Sequence, residues 1–194
     1  MRTLTRPFAV ACAAALGLSA AAQPPVPTAP AQPGGLPARP GGAPKVLTDA
    51  QFVILAASGG QFEVLSSKLA AEKATTADVK AYAERMVADH TKANDELKAA
   101  ATKAGLPLPV GLVSHHQQML DALKAAPDFD AAYMAAQVKS HVEAVDVFAA
   151  GAAGAKDAGV RAFAEKTLPV VKAHLEHARK HAGKHPAKEG AGDR

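Results

Sequence analysis

Four long stretches of the chain repeat small and apolar residues every three or four positions, the period that lines one face of an α-helix. The clearest covers about Thr76 to Ala104. Val79, Ala83, Met86, His90, Leu97 and Ala101 share one stripe, and Glu84, Arg85, Lys92 and Asp95 lie opposite. From about Asp128 to Ala153 the stripe is Met134, Gln137, His141, Val145 and Phe148, facing away from Lys139, Glu143 and Asp146. From about Asp157 to Ala182 it is Val160, Phe163, Thr167, Val170, Val171, His174, Ala178 and His181, opposite Arg161, Glu165, Lys172 and Glu176. The stretch from about Thr48 to Ala74 is less regular. Leu55, Phe62, Leu65 and Leu69 lie to one side of a line formed by Phe52, Ala56, Gly59, Glu63 and Ala70.

Local signals predict where these helices begin and end. Thr48 with Gln51 three residues on makes a capping box, and Gly105-Leu106-Pro107 ends the second helix. Pro127 leads into the third helix and Gly154 releases it. Pro169 falls inside the fourth, where a missing N–H predicts a kink. A shorter helix is predicted over Ser114 to Lys124, with Ser114 and Gln117 as a second capping box.

Loop lengths then predict topology. The first two long helices meet across one or two residues and the last two across three or four, so each pair is an antiparallel hairpin. The middle connection, Gly105 to Pro127, has 23 residues. A link that long suits a crossover returning along a bundle. The predicted fold is all-α: a ferritin-like four-helix bundle with a long, partly helical crossover between helices 2 and 3.

Composition agrees with helices, since only 4% of residues are aromatic and none is Trp. It also divides the chain. Arg2 and Arg6 precede the short apolar run Phe8 to Leu18, and Ser19-Ala20-Ala21-Ala22 offers small residues before Gln23. That order predicts a signal peptide over residues 1–22. A lipid on Cys12 is the competing reading, disfavoured because the apolar run continues past the cysteine. Residues 23–45 hold 8 of the 14 prolines and almost no large apolar side chain, which predicts an extended tether. The bundle is expected over residues 46–183 and a polar tail over 184–194. Cleavage removes Cys12, so the mature chain can form no disulfide. Removing Arg2 and Arg6 takes the 22 basic residues to 20 against 18 acids, so the net charge of +4 becomes +2. No basic block suggests nucleic-acid binding. The mature chain has no run that would span a bilayer.

The stripes carry the chemistry. His90, His141 and His174 each sit near the centre of a core-facing stripe, and Glu63 sits at the border of the first. Each lies about 12–18 residues from its hairpin turn, so at 1.5 Å per residue all four are level to within roughly one turn. Neutral imidazole with carboxylate suits zinc, copper or iron, and bundle cores build such sites from facing helices. Glu63, His90, His141 and His174 are therefore candidate ligands of one transition-metal ion. A buried layer in which the same four hydrogen-bond one another accounts for them equally well. A di-iron carboxylate centre is disfavoured, because Val87 and Val171 stand where a Glu-x-x-His half would need Glu. His177, His181 and His185 extend the line of His174 and read as solvated. His115 and His116 read as surface residues. Nucleophilic catalysis finds no support: Ser66, Ser67 and Ser140 lie within helices, without a strained elbow.

With these positions set out, the strings FVILAASGGQFEVLSSKLAAEKA, VKAYAERMVADHTKANDEL, FDAAYMAAQVKSHVEAVDVF and LPVVKAHLEHA resemble the exported bacterial family called domain of unknown function 4142. The resemblance spans about Leu47 to Lys180. It implies a ferritin-like helical bundle, with Glu63, Asp89, His90, Phe129, Asp130, His141, Pro169 and His174 at matching motif positions. It implies no activity. Two functions are expected: a non-catalytic periplasmic metal-binding or envelope-stress module, or a structural domain that docks an envelope protein partner. A pH-sensing role for buried neutral histidines is a further expectation.

Overall fold

A computed structural model describes residues 46–184; the expected signal peptide, the expected tether and the rest of the expected tail lie outside the described residues. The described part is all-helical. Its elements are α1 (Asp49–Lys73), α2 (Ala77–Lys103), α3 (Ser114–Lys124), α4 (Phe129–Gly154) and α5 (Ala158–Ala182). None of these helices is long and apolar enough to cross a membrane.

The expected caps form at α1, where the Thr48 side chain accepts from Gln51 N–H and the Gln51 side chain accepts from Thr48 N–H. Asp128 caps α4 and Asp157 caps α5. Gly105, at φ +66°, supplies the left-handed residue after α2. α5 continues through Pro169 as one helix. At α3 the expectation fails. Val113 is the N-cap, Ser114 is the first helical residue, and Gln117 reaches forward to Asp121 instead of back. The Val113 N–H donates to Ser58 Oγ on α1 at 2.8 Å.

The helices pack as the two expected hairpins, α1 on α2 and α4 on α5. α1 also packs on α4, α2 on α5, and α3 lies across α1 and α4. Two acidic residues clasp the hairpins to each other. Asp130, at the start of α4, accepts from the N–H and hydroxyl groups of both Thr75 and Thr76 in the α1–α2 turn, at 2.8–3.2 Å. Asp49, at the start of α1, accepts from Lys156 N–H and Asp157 N–H in the α4–α5 turn, at 2.8 and 2.7 Å.

The apolar core is divided. One cluster near the α4–α5 turn contains Phe52, Phe148 and Phe163, packed edge to face or tilted. Another, near the α1–α2 turn, contains Tyr82, Met86, Tyr133 and Met134. Burying each large side chain contributes roughly 1.5–3 kcal/mol, so both clusters help to hold the helices together. A third cluster, Phe62, Met119 and Leu120, sits under α3. Between the two main clusters lies a buried polar band containing Glu63, His90, Gln137, Ser140, His141 and His174.

Candidate metal centre

Three of the four predicted ligands converge. His90 on α2, His141 on α4 and His174 on α5 are all buried, and each offers a ring nitrogen within 4.8 Å of the others. Ring centroids lie 5.3–5.5 Å apart. His90 Nε2 and His141 Nε2 approach to 3.4 Å.

The surrounding acceptors determine which nitrogens keep a lone pair. Gln137 O, one turn back on α4, lies 2.9 Å from His141 Nδ1. A carbonyl can only accept, so the proton of the neutral ring is on Nδ1 and Nε2 is free. Asp89 Oδ2 lies 3.0 Å from His174 Nε2. A carboxylate also only accepts, so Nε2 carries the proton there and Nδ1 is free. His174 Nδ1 is in fact buried without a hydrogen-bond partner. An orphaned lone pair of this kind is costly in a core and is what a bound cation would satisfy.

Electrostatics keep two of the rings, those of His90 and His174, neutral. Burial pushes His90 well below the usual imidazole range, and His141 and His174 beside it push in the same direction. Burial lowers His174 to about 4, with His141 adding to the shift and the Asp89 hydrogen bond opposing it. Neutral imidazole is the form that ligates metals, so protons compete weakly here.

Glu63 is placed differently from the three histidines. It is buried on α1, with Oε1 3.6 Å from His141 Nδ1, the nitrogen opposite the one that approaches His90. Ser140 Oγ donates to the same Oε1. Oε2 is buried without a hydrogen-bond partner. Glu63 is not one of the three residues whose ligand atoms converge.

Two further residues were not singled out by the stripes. Asp89 stands beside His90 in sequence, 100° around α2, and reaches His174 across the α2–α5 seam while also accepting from Arg85 Nε at 3.3 Å. His116 corrects the surface reading. It is buried, stacked on Phe62 at 5.8 Å, and its Nδ1 accepts from Ser58 Oγ at 2.8 Å. Burial lowers it to about 4, with smaller contributions from His115 and Lys139. α3 lies close on α1 here: a Cβ at Gly59 would be in ordinary van der Waals contact with the His116 ring, at 3.6 Å. His115 is more exposed and pairs with Glu143 at 3.0 Å.

A family model described as "Domain of unknown function (DUF4142)" matches residues 35–180. The chain belongs to this family. The match takes in all five helices of the DUF4142 domain apart from the last residues of α5. Among solved structures, CopM in the Cu(II)-bound form is similar, with a TM-score of 0.62 at 19% identity, covering 72% of this chain and 98% of that one. At that identity the likeness is one of fold. Among curated proteins no sequence matches the chain.

Proposed function

We propose that this DUF4142 protein is a non-catalytic metal-binding module of the bacterial envelope. In this reading it takes one transition-metal ion, copper before zinc or iron, on His90, His141 and His174 in the core of a ferritin-like bundle. The observation that carries the reading is the convergence of three buried imidazoles, one with an orphaned ring nitrogen. Imidazole nitrogens suit copper, zinc and iron alike, and affinity for divalent ions is highest for copper in the usual order. The fold shared with CopM in its Cu(II)-bound form supports copper. The leader-like residues 1–22 support export to the periplasm. Glu63 acts from behind His141 in this reading, not as a fourth ligand.

A second reading is supported by the 3.4 Å contact between His90 and His141. It lets the rings hydrogen-bond each other as a polar core layer in a domain that docks an envelope protein. Elemental mass spectrometry of the untagged chain separates the two. About one metal per chain, lost in a His90→Ala/His141→Ala variant, is expected. No metal in either protein after incubation with copper, zinc and iron would leave only the polar layer.

A further inference from the structure

The carboxylates behind the three rings support an inference that rests on the metal reading above. We propose that Glu63 and Asp89 are paired counter-charges that make the site selective for a divalent cation over a monovalent one.

Imidazole ligates a metal in its neutral form, so three such ligands bring no charge of their own. An ion held among them in a buried layer is costly unless opposite charge stands close. The bundle supplies two such groups, each behind a different ring. Glu63, from α1, is 4% exposed and lies 3.6 Å from His141 Nδ1. Asp89, from α2, lies 3.0 Å from His174 Nε2. Two carboxylates match a charge of +2. The buried Glu63 Oε2 has no hydrogen-bond partner, an expensive arrangement for a carboxylate unless a positive charge shares its surroundings. Arg85 partly offsets Asp89, but its side chain is 51% exposed and water screens it more than it screens Glu63.

Both are positioning residues as well, since each faces the outer nitrogen of a ligand ring. Positioning alone affects every ion alike. Charge does not: Coulomb attraction scales with the charge of the ion. A substitution that weakens a monovalent ion by some factor through lost charge weakens a divalent one by the square of that factor.

The test is chelator competition for Cu(II) and, anaerobically, for Cu(I), on the full chain and on Glu63→Gln. Outer partners of metal ligands alter affinity by about 10–100-fold. The expected result is a loss of about tenfold for Cu(I) and about 100-fold for Cu(II). A tenfold change in their ratio raises the potential of bound copper by about 59 mV. Asp89→Asn should shift the potential the same way by less, because Asp89 is 39% exposed and paired with Arg85. It serves as the test if Glu63→Gln fails to fold. Equal losses for the two ions, or no loss, would overturn the pairing while leaving the metal site standing. Binding of neither ion by the unsubstituted chain would overturn the metal reading itself.

Discussion

Asp89 Oδ2 stands 3.0 Å from His174 Nε2, and the opposite nitrogen of that ring is buried with no hydrogen-bond partner. A half-exposed carboxylate on α2 thus sets the tautomer of a buried imidazole on α5. Ordering a ring so that its lone pair is unsatisfied destabilises the empty fold, and a ligand that satisfies it restores stability.

Metal should therefore raise the melting temperature. An ion at 100 times its dissociation constant stabilises the native state by about 2.7 kcal/mol. For a domain of this size that is a rise of roughly 8–12 °C. Differential scanning calorimetry with and without Cu(II) checks it. His174→Ala should abolish the rise, and its metal-free melting temperature should fall less than that of a typical core truncation, because the substitution also removes the orphaned nitrogen. An unchanged melting curve with Cu(II) would argue against the site.

The metal-free protein should lose stability on acidification. His116 is held at about 4, below the 6.5 of an unfolded chain. The unfolded state therefore binds more protons between these values. The stabilising contribution is complete above pH 6.5, falls as pH drops towards 4, and is flat below that. For His116 alone the loss is on the order of 3 kcal/mol. His174, also at about 4, and His90 add to the slope in the same direction. Urea melts between pH 7.5 and 4.5 measure it. His116→Gln, which can still accept from Ser58, should flatten the curve by roughly its own share. An identical slope in the variant would refute the assignment to His116.

The three histidines were legible in the sequence because two simple periods agreed. The 3.6-residue repeat put His90, His141 and His174 on inward stripes, and their distances from two tight turns put them at one height. Glu63 was legible as buried, but its side of His141 was not. That depends on the rotation of α1, and the mixed stripe of α1 leaves the rotation undetermined. Asp89 stood among the motif positions of the family resemblance, but its contact with His174 was not legible, because it lies off the stripe of its own helix and its partner is 85 residues away. His116 was misread because α3 is short and its inner face is decided by what α1 offers, namely the Ser58 hydroxyl and the Phe62 ring. Ser114 looked like a cap, yet the helix starts one residue earlier, from Val113, whose N–H donates across the interface to Ser58.

Close helix approach predicts a glycine that cannot be replaced. Alanine in a helix interior is normally favoured over glycine by about 1 kcal/mol. At Gly151 on α4, a Cβ would fall 2.5 Å from two ring carbons of Phe52, which is fully buried between Phe148 and Phe163. The ring has no free side to turn into, so overpacking wins. Gly151→Ala should destabilise by about 1–3 kcal/mol. Gly154→Ala, three residues on, meets nothing within 4 Å and should be near neutral or slightly stabilising. Chemical denaturation of both variants decides the matter, and a stabilised Gly151→Ala would mean the α1–α4 contact is looser than described.

The reciprocal clasps predict which acids hold the hairpins together. Asp130 receives two backbone N–H groups and two hydroxyls from the α1–α2 turn; Asp49 receives two N–H groups from the α4–α5 turn. Burial raises the Asp130 carboxyl, but the hydrogen bonds from Thr75 and Thr76 outweigh it and hold the group below its usual value. Its contribution is therefore present above pH 4 and lost as pH falls through that depressed value. Asp130→Ala leaves two N–H groups without their acceptor and should cost about 2–4 kcal/mol. Asp49→Ala removes fewer bonds at a more exposed turn and should cost about 1–2 kcal/mol. The clasps lie at opposite ends of the bundle and share no partner, so the double variant should show the sum of the two losses. A loss in the double variant much smaller than the sum would mean that breaking either clasp already releases one hairpin from the other, and that the bundle does not unfold as one unit.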